Sequence, residues 1–300
     1  MKKNYNLILF FIGIICLSSC GVVKNSGKYH EKDVSNQGIY TDILYADMEI
    51  NEEEKITGEA SATYFLFFRI SGDNHYAISF YRNYVKGELH PTNARTAEMC
   101  KLVENSSRDV QIAFANELSL ICDKADINVW DLINLANKHP RVNILQPGCG
   151  VGGHCIAVDP YFIISDYPKE SKMIGKAREV NNYKSLWCAE KIQKEKLQFE
   201  INNKRKPKIA LMGLAFKPNI DDLRESPAKY ITQQVLQNSN GGDYFIVEPN
   251  LESHSIFKLT EFEYAVKNAD IIAFLVAHKQ FKNLQISSEK IVLDFCGVFY

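Results

Sequence analysis

The sequence predicts an α/β protein in three parts: a small β-rich segment near the N-terminus, an all-helical middle, and a parallel α/β sheet at the C-terminus. Three observations carry this. Between Thr92 and Ala136, Met99, Leu102, Val103, Val110, Ala113, Leu118, Leu120 and Ile121 recur at spacings of three and four, the period of a helix with one apolar face. Beyond Lys208, short apolar runs alternate with helical stretches, the order of a doubly wound parallel sheet. Before residue 80 the apolar residues gather instead in short β-like runs.

Those first runs are IYTDILYADMEI and ATYFLFFRI, followed by a turn signal at Ser71-Gly72-Asp73-Asn74. The helical pattern then holds from Thr92, with Asp126 to Trp130 as a turn into a second helix, DLINLANK. A third helix is expected from Glu170 to Leu197, because no proline or glycine interrupts it after Gly175. In the last hundred residues, strands are expected at Lys208–Gly213, Tyr244–Val247, Ile271–Val276 and Ile291–Phe295. Helices lie between them at Ser226–Gln237, with Pro227 in the first turn where it is tolerated, and at Phe262–Asn268. The expected division is 1–20 as a signal, 21–80 as an unassigned β-rich segment, 81–202 as the helical middle and 203–300 as the α/β domain.

Length and composition bound the function. A chain of 300 residues with 46% hydrophobic residues has room for two modest domains. A net charge of -1 gives no electrostatic case for nucleic acid as a partner. The basic run from Asn203 to Lys208 reads as a solvated linker rather than a binding patch. None of the eight cysteines forms a CxxC pair, which argues against a zinc ribbon or a thioredoxin-type site, and no metal ligand set is expected. Their scatter through apolar surroundings suits reduced thiols in a cytoplasmic protein.

The first twenty residues point elsewhere. Lys2 and Lys3 precede LILFFIGIICL, an apolar run too short to span a bilayer, and Leu17-Ser18-Ser19-Cys20-Gly21 closes it. A basic start, an apolar core and small residues before a cysteine resemble a bacterial lipobox, in which Cys20 becomes the lipidated N-terminus and a membrane anchor. The plainer reading is a buried apolar segment.

Three blocks can carry chemistry. The first is GCGVGGHCIAVDP, Gly148 to Pro160, where four glycines crowd into six residues ahead of Cys155. Glycines let backbone approach a ligand closely, and a thiolate is the strong nucleophile among side chains. Asp159 is placed to act as a base or to position water. A tight turn with a packed cysteine is the alternative. The second block is a helix on which Lys101, Asn105 and Arg108 stand at i, i+4 and i+7 and share one face. Such a stripe is either a solvated face or, beside a cysteine loop, a set of donors to a developing oxyanion. The third is GLAFKPNIDDLRESP, Gly213 to Pro227, which runs from a strand end into a helix start. Ligands of open α/β sheets bind at that edge, and Lys217 and Arg224 can meet phosphate there. The dinucleotide fingerprint GxGxxG is absent from this strand, of which only Gly213 remains.

With TNARTAEMCKLVENSSRDVQIAFANEL, HPRVNILQPGCGVGGHCIAVDP and GLAFKPNIDDLRESPA in this order, the chain from Tyr81 to Tyr300 resembles the UDP-glucose/GDP-mannose dehydrogenase family. The resemblance implies a central all-helical dimerisation domain followed by a Rossmann-like, parallel α/β UDP-binding domain. It implies a homodimer, a UDP-sugar substrate, NAD as hydride acceptor and a four-electron oxidation of the sugar C6 alcohol through a cysteine thioester, in surface polysaccharide biosynthesis. By motif, Cys155 is then the nucleophile, Lys101 and Asn105 stabilise oxyanions, and Asp159 assists water. Arg108, His139, Arg141, Gly152, Phe216 and Lys217 fall at substrate-contact positions, and Arg224 at a position that reaches NAD.

Family members begin with a Rossmann domain that holds most of the NAD site, and the first eighty residues here contain no strand followed by GxGxxG. Two readings follow. In one, the chain is a truncated or fused, inactive dehydrogenase copy. In the other, it is a membrane-anchored, non-catalytic lipoprotein that reuses the fold for binding. A separately encoded Rossmann domain that complements the chain is a third. The compartment stays divided as well: cytoplasmic by family, membrane-anchored by the Cys20 lipobox.

Overall fold

The structure is a computed structural model, and it describes residues 42–48, 62–67, 83, 89–239 and 241–300. Cys20 and the turn signal at 71–74 lie outside the described residues. The chain divides into two compact units, Met1–Lys101 and Leu102–Tyr300.

In the first unit β1 (Asp42–Met48) is the central strand of an antiparallel sheet, between β2 (Ala62–Phe67) and β3 (Leu89–Asn93). Tyr45 sits opposite Phe65 on one side and His90 on the other. Each of the two β-like runs of the sequence thus holds a strand over its described residues. The third strand corrects the sequence reading, which began the helix at Thr92. Pro91 disfavours helical backbone in the residue before it, and a proline is tolerated in a sheet on an edge strand, the place β3 takes.

Helix α1 (Ala94–Ala125) starts directly after β3, and the unit boundary falls within it. It stops where Asp126 turns left-handed, with φ 57°. Helix α2 (Val129–Ala136) follows, capped by Asn128, whose side chain accepts from the backbone N–H groups of Trp130 at 2.9 Å and Asp131 at 3.2 Å. A short helix, α3 (Asp159–Asp166), opens with Pro160 at the end of the glycine loop, in a place where the sequence suggested only loop. Helix α4 (Lys172–Asn203) overruns its expected end by six residues and stops at Lys204, again left-handed at φ 57°.

The C-terminal strands β4 (Ile209–Met212), β5 (Tyr244–Val247), β6 (Ile271–Phe274) and β7 (Ile291–Asp294) form a parallel sheet in the order β5-β4-β6-β7. Side chains alternate across it. Ile209, Leu211, Ile271 and Ala273 pack with Ile192 of α4 and with Ile231 and Val235 of α5 (Pro227–Gln237). Ala210, Met212, Ile272 and Phe274 pack on the other face with Ala265 and Val266 of α6 (Phe262–Asn268). Opposite faces follow from the order, because the crossover from β4 to β5 and that from β5 to β6 run in opposite directions with the same right hand. The basic run before β4 does more than link. Arg205 grips Asp270 with two hydrogen bonds, at 2.8 and 2.7 Å, and the Lys208 backbone N–H donates to the same carboxylate at 2.8 Å. No helix among the described residues is long and apolar enough to cross a membrane.

Candidate active site

The cysteine loop is held from below by a polar network that joins α1 to α4. Asn116 of α1 accepts the Gly148 backbone N–H at 2.8 Å and donates its own amide to Asn181 at 2.9 Å. Asn181 donates in turn to the Asp109 carboxylate at 2.8 Å, where Arg178 pairs at 2.6 Å. Burial pushes the Asp109 carboxyl up and Arg178 offsets part of that. Ser185 fixes the loop from the side by donating to the Cys149 carbonyl at 2.7 Å. Cys149 itself turns inward and donates its thiol to the Leu275 carbonyl at 3.3 Å. The neighbouring Cys188 thiol and burial push it well above the ordinary thiol range, so it is an inert core thiol. Cys155 remains as the half-buried thiol of the loop.

The loop lies on the segment between β4 and α5. A Cβ on Gly152 would run into the Glu225 carbonyl oxygen and stand 2.7 Å from Pro227 and 2.9 Å from Phe216. Gly153, at φ +86°, lies flat against the Phe216 ring, and its N–H donates to the Arg224 carbonyl at 3.1 Å. Glycine at these positions is what lets two backbones touch. Two residues later the Cys155 carbonyl accepts from the N–H groups of Val158 and Asp159, which starts α3 and brings Asp159 up beside α1. There the Asn105 amide donates to the Asp159 carboxylate at 2.5 Å.

Arg224, whose carbonyl takes the Gly153 N–H, brings a cation to this arrangement. Its guanidinium grips Asp222 through Nε at 2.9 and 3.0 Å and through a second nitrogen at 2.5 Å. That grip holds the Asp222 carboxyl below its usual range, and it holds the guanidinium within electrostatic reach of the Cys155 thiol. Lys217 is exposed, with its ammonium 5.6 Å from the centre of the Phe216 ring.

The structure thus joins Asn105, Gly152, Cys155, Asp159, Phe216 and Arg224 around one loop. Arg108 is exposed on α1. Lys101, half-buried, is the last residue of the first unit and stands one helical turn before Asn105. His139 and Arg141 are exposed in the turn after α2, where the His139 ring accepts the Arg141 backbone N–H at 3.3 Å. Among the described residues no hydrogen bond or ion pair ties either of them to the cysteine loop. Asp222, Glu248 and His278 were not singled out from sequence. Glu248, directly after β5, carries the one available signal: an acid closing a buried strand. Burial pushes its carboxyl up, but hydrogen bonds from His278 and from the Leu214 and Ala215 amides outweigh that and leave it below its ordinary value.

NAD is poorly served by these residues. A dinucleotide needs free backbone amides after the first strand of the sheet. Here the amides of Leu214 and Ala215 are spent on Glu248.

Comparison with known proteins gives the family. Residues 95–183 match the central domain of the UDP-glucose/GDP-mannose dehydrogenase family, and residues 210–300 match its UDP binding domain. The chain is 54% identical over 228 residues to the UDP-N-acetyl-D-mannosamine dehydrogenase of Campylobacter jejuni, a match covering 74% of this chain and 54% of the relative. It is 49% identical over 233 residues to the enzyme of the same name from Escherichia coli K12, covering 74% and 55%. Among solved structures, a UDP-D-ManNAc dehydrogenase from Pyrococcus horikoshii aligns with a TM-score of 0.66 at 34% identity, over 75% of this chain and 54% of that one. The UDP-N-acetyl-mannosamine dehydrogenase of Staphylococcus aureus aligns with a TM-score of 0.62 at 38% identity, over 75% and 57%. The chain spans about half the length of the curated relatives it matches. With a helical domain, a cysteine loop and a parallel sheet in that order, it belongs to the UDP-glucose/GDP-mannose dehydrogenase family.

Proposed function

We propose that residues 102–300 form the UDP-sugar-binding, thiol-presenting half of a nucleotide-sugar 6-dehydrogenase whose substrate is UDP-N-acetylmannosamine. The observation that carries this is the seating of the cysteine loop on the β4–α5 segment, where the Gly153 N–H meets the Arg224 carbonyl. It sets Cys155 at the carboxyl edge of the sheet, the edge where a nucleotide rests in α/β folds. The names of the relatives supply the sugar.

The roles follow from position. Cys155 adds to a C6 aldehyde: a carbon–sulfur bond forms, and the thiol proton passes to the carbonyl oxygen, giving a thiohemiacetal. Asn105 holds the Asp159 carboxylate in place. At a C6 thioester, Asp159 takes a proton from water as the water adds to the acyl carbon and the Cys155 sulfur departs. Lys217 and Arg224 are contacts for the diphosphate. Alcohol to aldehyde and thiohemiacetal to thioester each release one hydride from C6, the chemistry that NAD would supply. The described residues do not build its site, and the sugar nucleotide is the ligand they serve. The exposed Phe114 and Ile121, seven residues apart on α1, support a homodimer through the helical domain.

Protection from alkylation tests this reading. UDP-N-acetylmannosamine should slow iodoacetamide labelling of Cys155 and leave the exposed Cys100 unaffected. Unchanged labelling of Cys155 in the presence of the sugar nucleotide would sink it.

A further inference from the structure

In a doubly wound sheet, ligands and their phosphates settle beyond the carboxyl ends of the strands where the order reverses. The order β5-β4-β6-β7 puts that crevice over the end of β4. The groups that would meet a phosphate there are the backbone N–H groups of the turn after β4. They already have an anion. The N–H groups of Leu214 and Ala215 both donate to Oε2 of Glu248, at 2.7 and 2.9 Å. Glu248 follows β5 and is 3% exposed.

A second buried residue aims this carboxylate. His278, after β6 and 0% exposed, brings Nε2 to 3.1 Å from the same oxygen. Its Nδ1 accepts the Asn219 backbone N–H at 3.0 Å, so the ring proton sits on Nε2 and points at Glu248. The other carboxylate oxygen accepts the Asn250 backbone N–H at 3.1 Å. Asn219 is tied once more, its side chain accepting the Lys279 N–H at 2.8 Å. Both ends of the turn that carries Phe216 and Lys217 are therefore fastened to one Glu–His pair. If packing were the only purpose, a pair of apolar residues of the same volume would serve as well.

We propose that Glu248, oriented by His278, is a built-in anion: it fills the crevice of this sheet in place of a ligand phosphate and fixes the Leu214–Asn219 turn so that Phe216 bears on Gly152 and Gly153. Both are positioning residues. A nucleoside diphosphate then binds outside the crevice, on the Lys217 side of the turn, and a dinucleotide gains no pyrophosphate site from this sheet. The placement of the diphosphate rests on the UDP-sugar reading; the identity of the built-in anion does not.

The test is chemical rescue in the full-length chain. Glu248→Ala should melt at a lower temperature than wild type in chloride. Formate or inorganic phosphate at the same ionic strength should raise its melting temperature while leaving wild type unmoved. UDP affinity should fall about tenfold in Glu248→Ala, the scale of one lost charge-assisted hydrogen bond, and recover with formate. A melting temperature that neither anion shifts would overturn the proposal. Should Glu248→Ala fail to fold, Glu248→Gln keeps the volume but removes the charge, and either amide orientation turns its N–H₂ toward a backbone donor, Leu214 and Ala215 on one side or Asn250 on the other. It should label faster at Cys155 with iodoacetamide because Phe216 leaves the loop, and wild-type labelling there would overturn the proposal equally. If wild type binds no UDP, the nucleotide reading fails, while formate rescue still decides what Glu248 does.

Discussion

Asn105 and Asp159, 54 residues apart in sequence, share a hydrogen bond that joins the first long helix to the start of the short helix after the cysteine loop. Asn105 is 9% exposed, so the bond is largely shielded from water. A hydrogen bond to a charged group is worth about 1.5–3 kcal/mol. Asn105→Ala should lower the unfolding free energy measured by urea titration by an amount in that range. Asp159→Asn, which keeps an acceptor, should cost less.

The glycine loop makes a sharper prediction because two of its glycines differ so plainly. A Cβ at Gly152 meets a backbone carbonyl, which cannot swing aside. A Cβ at Gly148 meets nothing within 4 Å. Gly152→Ala should destabilise the chain by about 1–3 kcal/mol, as overpacking does, and speed protease cleavage at the loop. Gly148→Ala should stay within about 0.5 kcal/mol of wild type by the same urea titration.

Beneath the loop, Asp109 and Arg178 form a buried pair with side chains 0% and 5% exposed. Removing one partner leaves the other buried and unpaired, at a cost of about 3–5 kcal/mol. Asp109→Leu or Arg178→Met alone should show that loss in urea unfolding. The double variant should recover most of it. Because the folded-state carboxyl of Asp109 lies above its ordinary value, its own protonation favours the fold at low pH, and that contribution is lost as pH rises through the raised value.

Asp270 has the opposite sign. Its hydrogen bonds to Arg205 hold the carboxyl below the ordinary value, so the stability it contributes is present above pH ~4 and is lost as pH falls through the lowered value. Wild type should be more stable than Asp270→Asn at neutral pH, and the two denaturation midpoints should converge in acid. A gap that persists at low pH would assign the effect to packing instead.

How much of this was legible in the sequence depends on range. The strands and helices of the α/β domain follow from local period and capping, as with Ser226 ahead of Pro227, whose side chain accepts the Lys229 N–H at 3.3 Å. The helix start at Ala94 was misplaced because β3 owes its strand to pairing with β1, more than forty residues away. Helix α3 was missed because eight residues give too little periodicity to see. In the site, Cys155, Asn105 and Asp159 were visible through residue type and motif. The Glu248–His278 pair was not, since a lone acid after one strand and a lone histidine after another acquire meaning only when the sheet order sets them together.

The most direct measurement is isothermal titration of the full-length chain with UDP-N-acetylmannosamine and, separately, with NAD. The account predicts saturable binding of the sugar nucleotide and no measurable heat from NAD. Binding of NAD without the sugar nucleotide, or of neither ligand, would contradict it.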